Sequence, residues 1–185
     1  MPPELFTERL RLCDFAEHDA AGLLAIFSDP LTVEFTEWEP FKTIADAEWL
    51  IEWARTAAGQ DPRTVFAWAI HWRDAENTPL LGIATLTIRD LPLGQGDIGY
   101  ILDRSVWGRG VATEAARALL DFAFRQLRLH RVTGSCCPEN IGSVRVLEKI
   151  GMRREGCLVK NIREKGQWRD TVIFALLESE AISGC

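Results

Sequence analysis

The 185-residue chain has one tyrosine, Tyr100, only two methionines and three histidines. His18, His71 and His130 are scattered, without the H-E-x-x-H spacing of a zinc site, so no metal is expected. The five cysteines (Cys13, Cys136, Cys137, Cys157 and Cys185) are odd in number and lack C-x-x-C spacing. Neither a disulfide framework nor a metal knuckle follows from them; reduced thiols in the cytoplasm do. No basic run occurs and the net charge is −6, which argues against nucleic acid as a partner. No secretory apolar region opens the chain and no apolar run approaches the length of a membrane span, so no membrane partner is expected either. The mild acidity suits a cationic acceptor such as an amine, and serves solubility equally well.

What remains is ordinary for a soluble globule: 47% hydrophobic and 26% charged residues. The length fits one domain over residues 1–185. Leu5 to Phe15 alternates as a strand does, and Asp19 to Asp29 carries Ala20, Leu23, Leu24 and Phe27 at helical spacing. Leu31 to Phe41 is irregular, with Glu37, Trp38 and Glu39 at its centre; aromatics among carboxylates there suit an acceptor groove or a cover over the core. A helix over 43–58, strands over 64–72 and 80–89 joined by a turn at 74–79, and a strand over 97–102 follow. A helix over 111–129, a strand over 131–137, a helix from Asn140 to Ile150 and a final hairpin over 155–163 and 168–177 complete the order. The helix between the strands at 97–102 and 131–137 makes that pair parallel. The class is α/β (α+β): a mixed sheet with helices on both faces.

The chain centres on Gly99 to Ala116: a strand, a tight loop with Gly108 and Gly110, then a long helix. Two residues without Cβ let the backbone turn sharply and approach a ligand, and the helix offers unpaired N–H groups and the positive end of its dipole. Phosphate is the usual occupant of such a loop. A P-loop reading fails because Val111 and Ala112 stand where Lys and Ser/Thr belong. A dinucleotide-fold reading fails because Thr113 replaces the third glycine and no acid ends the next strand. The literal G-x-G-x-x-G at 94–99 precedes a strand and reads as a turn.

The run Trp107-Gly108-Arg109-Gly110-Val111-Ala112 resembles the pyrophosphate loop of the GNAT superfamily of acyl-CoA-dependent N-acyltransferases, with Trp107 where that family has Arg or Gln. Trp there is similar to the branch of ribosomal-protein-alanine N-acetyltransferases. Asn140-Ile141-Gly142-Ser143, then Glu148-Lys149-Ile150-Gly151-Met152 and Glu155-Gly156, resembles a second signature of the family. The resemblance runs from Thr7 to about Glu178. It implies a mostly antiparallel sheet of about seven strands whose central parallel pair splays apart, and acetyl-CoA as co-substrate without a metal.

It also implies the site residues. Main-chain groups of Ile101, Leu102 and Asp103 would meet the pantetheine arm and the oxyanion. The N–H groups of Gly108 to Ala112, with Trp107 and Thr113 beside them, would hold the pyrophosphate, and Arg104, Arg109 and Arg145 would add charge. Asn140 would bind the arm, or serve only as a helix cap. Asp97 matches the position of a family Glu and is the candidate base, acting through water; Glu37 and Glu39 stand in reserve. The tyrosine acid of many relatives is Leu147 here, so Ser143 takes the role of positioner or acid. An acyl-cysteine route through Cys136 or Cys137 has no histidine placed by motif to support it. The expected activity is direct acetyl transfer in a ternary complex to a protein N-terminal α-amine. A small amine (an aminoglycoside, a polyamine or an amino acid) is the alternative, and a non-catalytic coenzyme A-binding module is a third; the state is a monomer or a homodimer.

Overall fold

The alternation at the start of the chain breaks at Thr7, where the Thr7 amide donates to the Leu10 carbonyl (2.9 Å) and the chain doubles back. Two short strands, β1 (Leu5–Phe6) and β2 (Leu10–Cys13), therefore replace the single strand expected over 5–15. The computed structural model describes residues 2–74 and 79–182. Most of the turn expected at 74–79, and Cys185, lie outside the described residues.

Helix α1 (Asp19–Ser28) and helix α2 (Ile44–Ala58) follow, the second opened by a capping box between Thr43 and Asp46. Strands β3 (Val65–Trp72), β4 (Gly82–Asp90) and β5 (Gln95–Leu102) form an antiparallel meander. Helix α3 (Val111–Asp121) leads to β6 (Arg131–Cys136), helix α4 (Ile141–Lys149), the hairpin β7 (Arg153–Glu164) and β8 (Gln167–Leu177), and the short α5 (Glu178–Ile182). Among the described residues the sheet has eight strands in the order β1-β2-β3-β4-β5-β6-β8-β7, and only β5 and β6 pair in parallel. The eighth strand comes from the division at Thr7.

The helix expected to run to Leu129 departs from α geometry after Asp121. Over Phe122–Gln126 it widens into a π turn, with the Leu127 amide donating to Phe122 (3.1 Å). The wider turn brings Phe122, Ala123 and Phe124 all into the core, where Phe122 meets Phe66 and Trp68 edge to face.

Apolar residues fill both faces of the sheet. On one, Phe66, Trp68, Ile98 and Leu102 pack under α3 and α4 with Leu119 and Leu147; on the other, Ala67, Ala69 and Ile83 meet Phe27, Leu50 and Ile51 of α1 and α2. That two-sided burial explains why β3, apart from His71, is apolar on both faces. The parallel pair is in register only at Gln95–Arg131, Gly96–Val132 and Asp97–Thr133. Beyond Asp97 the two strands diverge, and the opening between them lies at the centre of the molecule.

Candidate active site

The opening continues into a loop whose shape depends on two glycines. Gly108 and Gly110 adopt φ of +71° and +79°, a region costly to other residues, and Gly110 precedes the first turn of α3. The first helical bond runs from the Glu114 amide to the Gly110 carbonyl (3.0 Å), so the N–H groups of Val111, Ala112 and Thr113 have no partner within the helix. Trp107 donates its indole N–H to the Leu102 carbonyl (3.0 Å), bracing the loop against the end of β5.

The loop is braced from the far edge as well. Arg9 donates its amide (2.8 Å) and its Nε (2.7 Å) to the Glu114 carboxylate, and its Nη1 to the Arg109 carbonyl (3.1 Å). Thr7 Oγ1 adds a 2.5 Å bond to the same carboxylate. Burial alone would raise the Glu114 carboxyl, but these hydrogen bonds and the Arg9 charge outweigh it and hold it below the usual carboxylate range.

A cleft of about 490 Å³ follows the loop, lined among others by Thr32, Leu102, Gly108, Gly110, Arg145 and Lys149. A second, of about 400 Å³, opens on the opposite side over Glu37, Trp38, Trp53, Arg89, Asp97 and Cys136. Thr36, Tyr100, Ile101 and Ser143 line both, so the two clefts meet where β5 and β6 part. A third groove carries the second one onward past Glu37 and Asp97 to Asn161 and Glu164 of β7.

Asp97 is set at this junction with its side chain 23% exposed. Its Oδ2 accepts from Thr133 Oγ1 (2.9 Å), and its Oδ1 lies 3.4 Å from Arg89 Nη2. Burial pushes its carboxyl above the ordinary value against the opposing pull of Thr133 and Arg89, which makes it a stronger base than a surface aspartate. Tyr100 donates to the Ser143 carbonyl at 3.5 Å, and burial pushes its phenol up to about 12.

The structure gathers some expected site residues and separates others. Glu37, Trp38, Asp97, Ile101, Ser143 and Arg145 lie on the clefts; Glu39 is exposed and lines none of them. Arg104 is paired with Asp29 (3.3 Å), and the Arg109 guanidinium sits over the Trp72 ring, 5.5 Å from its centre. Asn140 caps α4 by accepting from the Ser143 amide (3.1 Å). The main-chain groups of Ile101, Leu102 and Asp103 are directed to different sides. The Asp103 amide donates to Leu81 of the β4 side (2.8 Å), and ladder groups alternate, so Asp103 and Ile101 face β4. The N–H groups of Tyr100 and Leu102 face the opening instead. Thr32, Thr36, Tyr100, Lys149, Arg89 and Thr133 were not singled out from sequence, since no local pattern marks a residue that only the packing of distant strands brings to a cleft.

The thiol of Cys136, on the second cleft, is pushed up to about 11 by burial and by neighbouring Cys137, so little thiolate forms near neutral pH. Among the described residues no group of three or more His, Cys, Asp or Glu could hold a metal, and no helix is long and apolar enough to cross a membrane.

A glycine-shaped loop at a helix start, reached through a splayed parallel pair, is the arrangement the resemblance implied, and a family model matches most of the chain. The acetyltransferase (GNAT) domain model matches residues 9–153. The chain belongs to the GNAT acetyltransferase family. This GNAT chain is therefore an acyltransferase, and its relatives agree. It is 30% identical over 176 residues to the uncharacterized N-acetyltransferase p20 of Bacillus licheniformis, covering 95% of this chain and 97% of that one. A solved GNAT acetyltransferase from Bacillus anthracis shares 28% identity at a TM-score of 0.84, over 96% of this chain and 100% of the other. Over 79 residues the GNAT chain is 32% identical to the ribosomal protein uS5-alanine N-acetyltransferase of Escherichia coli (strain K12), covering 43% of this chain and 41% of that one.

Proposed function

We propose that residues 1–185 act as a single cytoplasmic domain that transfers acetyl from acetyl-CoA to a protein N-terminal α-amine, directly and within a ternary complex. One observation carries this reading: two clefts meet at Tyr100, Ile101 and Ser143, with the half-buried Asp97 on one side and the glycine loop on the other. The residues on the loop side suit coenzyme A. Three unpaired amides and the cations of Arg145 and Lys149 would hold its phosphates. The bound thioester supplies an acetyl group already activated for attack.

The chain's own residues do the rest. An α-amine has an ordinary pKa of about 7.7–8.0 against about 10.4 for lysine, so a modest base suffices to keep it neutral. Asp97, with its raised pKa, takes that proton through a water, since aspartate is one methylene short of the family's glutamate. The N–H of Tyr100 or Leu102 stabilises negative charge developing on the thioester oxygen. Ser143 positions the departing sulfur; with a thiol pKa of about 8.5, a strong acid is not required. The Tyr100 phenol sits at the same junction and is a second donor to that sulfur.

The acceptor assignment rests on the continuous trench from Trp53 past Asp97 to Asn161, which accommodates an extended chain end, and on the likeness to the uS5-alanine enzyme. Acetyl-CoA consumption should be followed against a panel of ribosomal-protein N-terminal peptides, polyamines, amino acids and aminoglycosides. Turnover confined to the small amines would replace the peptide assignment, and coenzyme A binding without any turnover would replace the enzymatic one.

A further inference from the structure

Thr32 and Thr36 lie in the loop between α1 and α2, and their hydroxyls are treated differently. Thr36 Oγ1 donates to the Val33 carbonyl (2.9 Å) and accepts from the Trp38 amide (3.2 Å). Thr32 is 8% exposed, and its Oγ1 is buried with no hydrogen-bond partner in the described structure. A buried hydroxyl left unpaired is destabilising. The backbone around it is pinned. The Thr32 amide donates to the Asp29 carbonyl (3.0 Å), the Asp29 carboxylate pairs with Arg104, and Lys165 Nζ donates to the Val33 carbonyl. The backbone of Thr32 is therefore held where the fold puts it, and the residue lines the loop-side cleft, so a turn about its Cα–Cβ bond is what brings the hydroxyl to a ligand there.

Its place along that cleft limits what it can meet. The phosphate end is at Gly108 to Thr113, and the acetyl end is the junction at Tyr100, Ile101 and Ser143. Thr36 lines both clefts, whereas Thr32 lines only the first, away from the acceptor side. Between a nucleotide and a thioester, coenzyme A carries the pantetheine arm with its two amides. We infer that the Thr32 hydroxyl is a hydrogen-bonding position for that arm, unsatisfied until coenzyme A binds. The inference rests on the reading of this cleft as the coenzyme A site.

The test is Thr32→Val, which keeps the side chain's shape and removes only the hydroxyl. Titration calorimetry with coenzyme A should show affinity roughly five- to tenfold weaker than wild type, the worth of one hydrogen bond. Adenosine 3′,5′-bisphosphate, which has no pantetheine, should bind both proteins equally. The melting temperature of Thr32→Val without ligand should equal or exceed that of wild type, and Thr32→Ser should bind coenzyme A within about twofold of wild type. Unchanged coenzyme A affinity, equal weakening toward both ligands, a serine variant as weak as the valine one, or a clear loss of melting temperature would each overturn the inference. Wild-type protein that fails to bind coenzyme A would instead overturn the reading of the cleft itself.

Discussion

Replacing Asp97 by asparagine tests the proposed base with little disturbance, because the local hydrogen bonds can rearrange around an amide. Thr133 Oγ1 lies 2.9 Å from Asp97 Oδ2 and 3.1 Å from the Gly96 carbonyl, yet has one hydrogen to give. In the variant the amide oxygen faces Arg89, its N–H donates to Thr133, and Thr133 donates to Gly96. Nothing is left unpaired, so the fold is retained. What disappears is proton acceptance, worth typically 10²–10⁴ in rate. Action through a water and the nearby Glu37 place the effect at the lower end, about 100-fold in kcat, or about 2.7 kcal/mol of barrier. The low-pH limb of the rate profile, set in wild type above the ordinary aspartate range, should vanish with it. Stability should move the other way. The folded-state pKa of Asp97 is raised, so below the ordinary aspartate value the carboxyl is neutral in both folded and unfolded states. Between the ordinary and the raised value the unfolded chain ionises first, so wild type loses stability across that window and no more above it, and Asp97→Asn should gain on wild type across the window and then melt above it by a constant amount. Steady-state kinetics and melting from pH 4 to 8 read both effects. A variant with kcat within threefold of wild type and an unaltered pH profile would refute the assignment.

Three further outcomes follow from the loop. Gly110→Ala meets only ordinary contact, 3.5 Å from Arg9 Nη2, but at φ +79° it should cost about 1–2 kcal/mol of stability by denaturant titration and weaken coenzyme A binding. Trp107→Phe deletes the 3.0 Å bond to Leu102 and should lower stability by about 1 kcal/mol, with coenzyme A affinity reduced several-fold by calorimetry. Glu114 has a depressed pKa, so its contribution is complete above the ordinary glutamate range and is lost as pH falls through the lower, folded value. Wild type should therefore lose stability below about pH 4.5 more steeply than Glu114→Gln, as urea midpoints at pH 3 to 7 would show.

The nature of the site was legible where chemistry is local. Gly108 and Gly110 before an amphipathic helix, Asn140 at a helix start and the alternation of β5 are patterns of neighbouring residues, and the structure builds a helix start with unpaired amides, a cap and a strand from them. The sequence was less informative wherever several residues compete for one partner. Three arginines were equivalent as phosphate ligands until packing paired Arg104 with Asp29, laid Arg109 over Trp72 and left Arg145 on the cleft. The turn that divides the first strand at Thr7 is also tied to Glu114, more than 100 residues away, which accepts from Thr7 and Arg9 together. The π turn at Phe122 likewise answers to Phe66 and Trp68 across the core.

By itself, then, the order of residues determined the elements, the glycine loop and the family chemistry, because backbone freedom, periodicity and capping act over a few residues. Only the tertiary structure decided which main-chain groups face the opening, that Asp97 is buried enough to gain basicity, and that Tyr100 and Thr32 reach the clefts. Those properties arise from strand register and from the exclusion of water by segments far apart in the chain, and neither is written in any one stretch of it.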